Sequence, residues 1–201
     1  KDGDDYILNG EKIYVTAGAR AECVVVWATL DKSLGKAAIK SFVVEHGTPG
    51  MEVTRLEHKL GIKASDTAAI NFTDCRVPAA NLLGTPEIDL KKGFAGVMET
   101  FDNTRPLVAA MAVGVAAASI ERMKELLADH IDPNYGTPPL NSSHAEATLY
   151  RLEAEWEAAR LLTLKAAWMA DNKQPNSKDA SICKAKAGRV ANEVTLKCVE
   201  L

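Results

Sequence analysis

From position 6 to about position 72, apolar, β-branched and aromatic residues come in short runs, each closed by Gly, Pro or small polar residues. That alternation predicts strands at 6–8, 12–16, Cys23–Thr29, Ile39–Glu45, Met51–Leu56 and 69–73. Asn9-Gly10 between the first two runs predicts a two-residue type I′ hairpin. Loops are expected at 31–35, 47–50 and 63–66, where turn formers gather. No helical pattern of useful length separates the strands, so this half predicts a small antiparallel barrel or sandwich.

The grammar changes after a stretch of turn formers running from Arg76-Val77-Pro78 to Gly84-Thr85-Pro86. Helical spacing follows over 94–101, then over an alanine-rich run at 107–127 that should be buried on most sides. Pro106 between them either starts a helix or kinks a longer one. A second helix is expected over 144–170, with Leu149, Leu152, Trp156, Ala159, Leu162 and Ala166 on one face. Ser177 is placed as the N-cap of a third, which carries Ala180, Cys183, Ala187 and Val190. The fold class expected is therefore α+β and multi-domain: an antiparallel β-barrel over 1–88, then an antiparallel α-helical bundle over 89–201 with a member missing. An apolar helical pattern still running at Leu201 reads as a fragment of a longer protein, truncated at both ends.

Composition narrows the function. The 201 residues are 47% hydrophobic and 25% charged, which excludes a disordered chain. A formal charge of -3 carries no footprint for nucleic acid. No run approaches the ~18 apolar residues of a membrane span. Four cysteines without paired short spacing, Cys23, Cys75, Cys183 and Cys198, suggest buried thiols rather than zinc or disulfides. Nucleotide-binding, serine-hydrolase and zinc-protease signatures are absent. His46, His58, His130 and His144 stand near turns or element ends and read as solvated. Arg151 and the glutamates around it read as an exposed, self-paired helix face. Trp27, Trp156 and Trp168 read as core.

Longer stretches carry more information. Leu8-Asn9-Gly10-Glu11-Lys12-Ile13-Tyr14-Val15-Thr16 resembles the opening of the middle domain of acyl-CoA dehydrogenases, LNGxKxWIT. In the same order follow Ser41-Phe42-Val43-Val44-Glu45 with Thr48-Pro49-Gly50, then Lys59-Leu60-Gly61-Ile62-Lys63-Ala64-Ser65-Asp66-Thr67, Phe72, Val77-Pro78 and Asn81-Leu82-Leu83-Gly84. Phe101-Asp102-Asn103-Thr104-Arg105-Pro106, with Ala109-Ala110 and Val113-Gly114, is similar to the medium-chain type of that family, as is Ala166-Ala167-Trp168.

The resemblance implies a FAD enzyme that converts an acyl-CoA thioester to the trans-2-enoyl-CoA by α-proton abstraction and β-hydride transfer to flavin N5. It places Tyr14, Val15 and Thr16 against the isoalloxazine, with the Thr16 hydroxyl toward N5. It places Asp102, Asn103, Thr104 and Arg105 against the CoA part of the substrate. One of the family's two positions for the catalytic base falls on Thr104, which cannot take the α-proton at neutral pH, so the base is expected outside this chain. The family's Arg before a Phe-Gly pair is missing: the chain reads His130-Ile131-Asp132-Pro133-Asn134-Tyr135-Gly136, a weaker partner for a FAD pyrophosphate. A non-catalytic paralogue, acting as partner subunit of a hetero-oligomer, is the alternative. The resemblance further implies an electron-transfer flavoprotein as acceptor, a homo- or hetero-oligomer (dimer or tetramer), and a cytoplasmic or, in a eukaryote, mitochondrial-matrix location.

Overall fold

Strand β1 (Asp5–Thr16) is one continuous strand, although Asn9-Gly10 in its middle predicts a hairpin. It pairs antiparallel with β5 (Thr67–Pro78) from Asp5↔Pro78 to Thr16↔Thr67. Asn9-Gly10 instead marks a register shift, with Gly10 at φ 140°. The Asn9 side chain binds Asp74, accepting from its backbone amide at 2.8 Å and donating to its carboxylate at 3.1 Å. Long-range pairing thus turned a hairpin signal into a bulge.

The computed structural model describes residues 1–90, 94–129 and 143–201, in two compact units, Lys1–Ala95 and Gly96–Leu201. In the first unit, β2 (Cys23–Thr29), β3 (Ile39–Glu45) and β4 (Met51–Leu56) have the extents that alternation predicts. The loop expected at 31–35 runs on to 38 as a short 3-10 segment, Lys32–Ala38, opened by the Asp31 carboxylate, which accepts from the Ser33 amide at 2.8 Å. With β6 (Leu82–Leu83) the strands form two antiparallel sheets of three, β1-β5-β4 and β2-β3-β6. Both sheets feed one core, with Tyr6, Leu8, Ile70, Phe72 and Val77 from the first and Val24, Val26, Phe42, Val44 and Leu82 from the second. Tyr6 meets Phe42 edge to face at 5.1 Å.

In the second unit, α1 (Ala95–Leu126) runs through Pro106 without ending. With α2 (His144–Asp171) and α3 (Ser177–Glu200) it shares a core in which Ala109, Ala116, Ile120 and Met123 meet Leu149, Leu152, Ala159, Cys183, Ala187 and Val190. These positions recur at helical spacing, so α1 buries one stripe only. Leu107, Val108, Met111 and Val115 are exposed, against the expectation of burial on most sides. The expectation that no segment is apolar enough to span a membrane is also corrected. By length and composition alone α1 could, with mean hydropathy 1.4 over its best 18 residues. That hydropathy belongs to a helix that packs one stripe on two others.

Three local expectations change. Asn176, not Ser177, stands at the N-cap of α3, and its side chain makes no capping bond. Trp168 is 56% exposed, whereas Trp156 donates its indole N–H to the Val113 carbonyl at 3.1 Å. The charged residues of α2 mostly pair across helices: Arg151 with Glu193 at 2.6 Å, Glu155 with Lys186, and Lys165 with Asp179 at 2.8 Å. Glu157–Arg160 stays within the helix. Cys75 and Cys183 are buried as expected, Cys198 is partly buried and Cys23 is exposed; all four are free thiols.

Candidate functional site

Near its end β1 carries one residue more than β5 can pair. Lys12 faces Ile70 and Val15 faces Ala68, so three steps on one strand match two on the other. The excess is taken up at Tyr14, whose φ of 57° is a conformation that bulky side chains resist, at a cost of about 1–3 kcal/mol. As a result Tyr14 projects outward and is 69% exposed, Val15 turns back to pack on the β core, and Thr16 is exposed. Tyr14, Val15 and Thr16 therefore form a shelf: an aromatic ring and a hydroxyl face out, over an aliphatic foot.

Residues 17–20 brace this shelf against the start of β5. The Ala17 amide donates to the Asp66 carbonyl at 3.0 Å, and the Ala19 amide to the Asp66 carboxylate at 3.1 Å. Arg20 adds a contact to the same carboxylate at 3.4 Å. Gly18 is buried between them, where a Cβ would lie 2.9 Å from the Ala68 Cβ. Asp66 was missed as a structural support, because only the fold brings it beside residues 17–20. Beside the shelf, the Arg55 guanidinium is held further up by its hydrogen bond to Glu57 at 2.6 Å, with a small added push from the Tyr14 phenol. Elsewhere in this unit a pocket of about 120 Å³ includes Glu45, Arg76 and Asn81 but no shelf residue.

The second candidate segment lies in α1. The Arg105 guanidinium donates to the Asp102 carboxylate at 3.0 Å, one helical turn away, and sits 5.4 Å from the Phe101 ring centre. Both side chains are mostly covered, Asp102 at 17% and Arg105 at 28% exposure, whereas Asn103 and Thr104 are exposed. The Thr104 hydroxyl has only a long contact, 3.5 Å, to the Phe101 carbonyl. The segment offers a guanidinium held by Asp102 and flanked by two exposed polar side chains, suited to a polar ligand.

Shifted groups elsewhere belong to packing. Burial pushes the Cys75 and Cys183 thiols up. The bond to Lys186 holds the Glu155 carboxyl below its ordinary range, as Lys165 does for Asp179. Among the described residues no group of three or more His, Cys, Asp or Glu could hold a metal ion. His46, His58 and His144 are exposed; His130 and the Asp132-to-Gly136 stretch lie outside the described residues.

An exposed aromatic-and-hydroxyl shelf on a β unit, followed by a helix bearing the Asp-x-x-Arg pair, can be compared with known proteins. Residues 1–75 match the middle domain of acyl-CoA dehydrogenase, and residues 91–201 match its C-terminal domain. The chain belongs to the acyl-CoA dehydrogenase family. The short-chain specific acyl-CoA dehydrogenase of Rattus norvegicus mitochondria is 35% identical over 202 residues, covering 100% of this chain and 47% of that protein. An acryloyl-CoA reductase (NADH) of Anaerotignum propionicum is 35% identical over 192 residues, covering 96% of this chain and 47% of that protein. The structure of butyryl-CoA dehydrogenase from Megasphaera elsdenii superposes with a TM-score of 0.87 at 38% identity, covering 100% of this chain and 51% of that one. The chain thus spans about half the length of these relatives. The chain's antiparallel sheets fall in the middle-domain match and its helices in the C-terminal-domain match.

Proposed function

We propose that this chain is part of an FAD-dependent acyl-CoA dehydrogenase acting on short-chain acyl-CoA thioesters and yielding the trans-2-enoyl-CoA. The observation that carries this reading is the shelf. An isoalloxazine needs a flat apolar face and a hydrogen-bond donor at its edge, and Tyr14 and Thr16 offer both on open surface of the β unit. A bound FAD supplies the two-electron acceptor for the β-hydride. Around it the Tyr14 ring would pack against the isoalloxazine and keep water away, and the Thr16 hydroxyl would donate to the N5 edge. Val15 anchors the strand to the core so that both neighbours hold their places.

Arg105 holds the CoA part of the substrate by charge, with Asp102 fixing the guanidinium and Asn103 and Thr104 adding hydrogen bonds. The resemblance puts one of the family's two base positions on Thr104, which cannot accept the α-proton at neutral pH, so the proton goes to a carboxylate outside these 201 residues. The short-chain assignment rests on the names of the rat and Megasphaera relatives. An electron-transfer flavoprotein takes the electrons onward, and the subunits assemble as an oligomer in the cytoplasm or the mitochondrial matrix.

The test uses the purified full-length protein. It should absorb in the flavin bands and bleach when butyryl-CoA is added without an acceptor; Thr16→Val should retain less flavin or bleach more slowly. A colourless protein that no acyl-CoA changes refutes the enzyme reading in favour of a non-catalytic partner subunit. Bleaching by NADH, reversed by an enoyl-CoA, would show the direction named for the Anaerotignum relative.

A further inference from the structure

Pro106 lies inside α1 and is buried. A proline in that place has no N–H, so the carbonyl four residues earlier, that of Asp102, loses its helical donor. An unpaired carbonyl at such a site is unfavourable, and a donor has to come from elsewhere. It comes from Asn176, only 7% exposed, whose amide nitrogen lies 3.3 Å from the Asp102 carbonyl oxygen and 3.3 Å from that of Ala166. The Asn176 backbone carbonyl also accepts from Ala180 at 2.8 Å, in the first turn of α3. One buried side chain therefore ties the proline-broken turn of α1 to the α2–α3 junction.

We propose that Asn176 is a positioning residue for the substrate-binding segment, replacing the hydrogen bond that Pro106 removes and so fixing the turn that presents Asp102 and Arg105. This rests on the reading of that segment as the CoA site. Asn176 touches no ligand; it acts through the backbone from which the Arg105 charge projects. Without its amide the Asp102 carbonyl draws water or a shifted turn, and the guanidinium leaves its place.

The experiment is a double-mutant cycle in the full-length flavin-loaded protein. Asn176→Leu and Asn176→Ser are made in the wild type and in a Pro106→Ala background, where the new N–H can reach the Asp102 carbonyl. Flavin content is checked first, then kcat and KM for butyryl-CoA, and the Kd of acetyl-CoA, which has no β-carbon to dehydrogenate. Asn176→Leu should raise KM and the acetyl-CoA Kd about tenfold with kcat within about twofold, and in the Pro106→Ala background the rise should shrink to about twofold or less. Asn176→Ser, polar but too short to reach the Asp102 carbonyl as the amide does, gives the same comparison if the leucine variant does not fold. Equal rises in both backgrounds, or no rise in a folded variant, overturn the proposal. A wild type that binds acetyl-CoA but oxidises no acyl-CoA refutes the dehydrogenase reading, while the Kd cycle still decides for or against Asn176. A wild type that binds no CoA thioester overturns both.

Discussion

The β unit and the helical unit make their candidate sites by opposite local faults. In β1 the fault is an extra residue, which swings Tyr14 into positive φ and leaves backbone amides at 17–20 to be satisfied. In α1 the fault is a missing donor, Pro106, which leaves a carbonyl. Each fault is met by one mostly covered polar side chain from far along the chain: the Asp66 carboxylate accepts from the amide at 19, and the Asn176 amide donates to the carbonyl at 102. An irregular backbone can point side chains where a regular strand or helix would not. It holds them there only if its unpaired groups find partners.

The two units also differ in how tightly their backbones are set, and the largest expected effect tests this. Gly50 has φ +87°, and a Cβ there would lie 2.3 Å from the Thr73 carbonyl oxygen, so Gly50→Ala should destabilise the β unit by about 3 kcal/mol or more. Thermal unfolding should show the β unit melting first; an unchanged melting temperature would mean that the β4–β5 end is looser than its geometry.

Next comes Asp66. Removing its carboxylate in Asp66→Ala strands the Ala19 amide and should cost about 1–3 kcal/mol, with little from Arg20, which is largely exposed. Flavin content should fall with it, and Asp66→Asn, which keeps an acceptor, should recover most of both. If Asp66→Ala melts early yet keeps its flavin, the comparison with Asn176 fails on the β side.

The smallest effect is expected in acid. Lys186 and Lys165 hold the carboxyls of Glu155 and Asp179 below their unfolded values. Their stabilisation is present above the ordinary carboxylate range and is lost as the pH falls through the lowered folded values, because protonation then favours the unfolded chain. Glu155→Gln should flatten the acid limb of the stability curve, and an equally steep limb would assign acid sensitivity to other groups.

Much of this was legible beforehand. The extents of β2, β3 and β4 follow from alternation closed by turn residues, a signal that is local and needs no partner. The shelf and the Asp-x-x-Arg turn were found through motif resemblance, which marks residue types at fixed spacing. Asn9-Gly10 misled because a type I′ hairpin and a bulge ask the same of a glycine, and only pairing with β5 separates them. Ser177 misled for a related reason: Asn176 and Ser177 are both capping types, and their distant surroundings decide which residue does what.

By itself the amino-acid order determined where strands give way to helices, which stripes of α2 and α3 are apolar, and which family's motifs the chain carries, because all of these depend on spacing along a few turns or pleats. Tertiary structure alone decided which exposed side chains stay exposed, which thiols are covered, and which remote polar groups meet the orphaned amides and carbonyl. Hydrogen bonds between residues tens of positions apart exist only once the packing of apolar faces has brought those residues together.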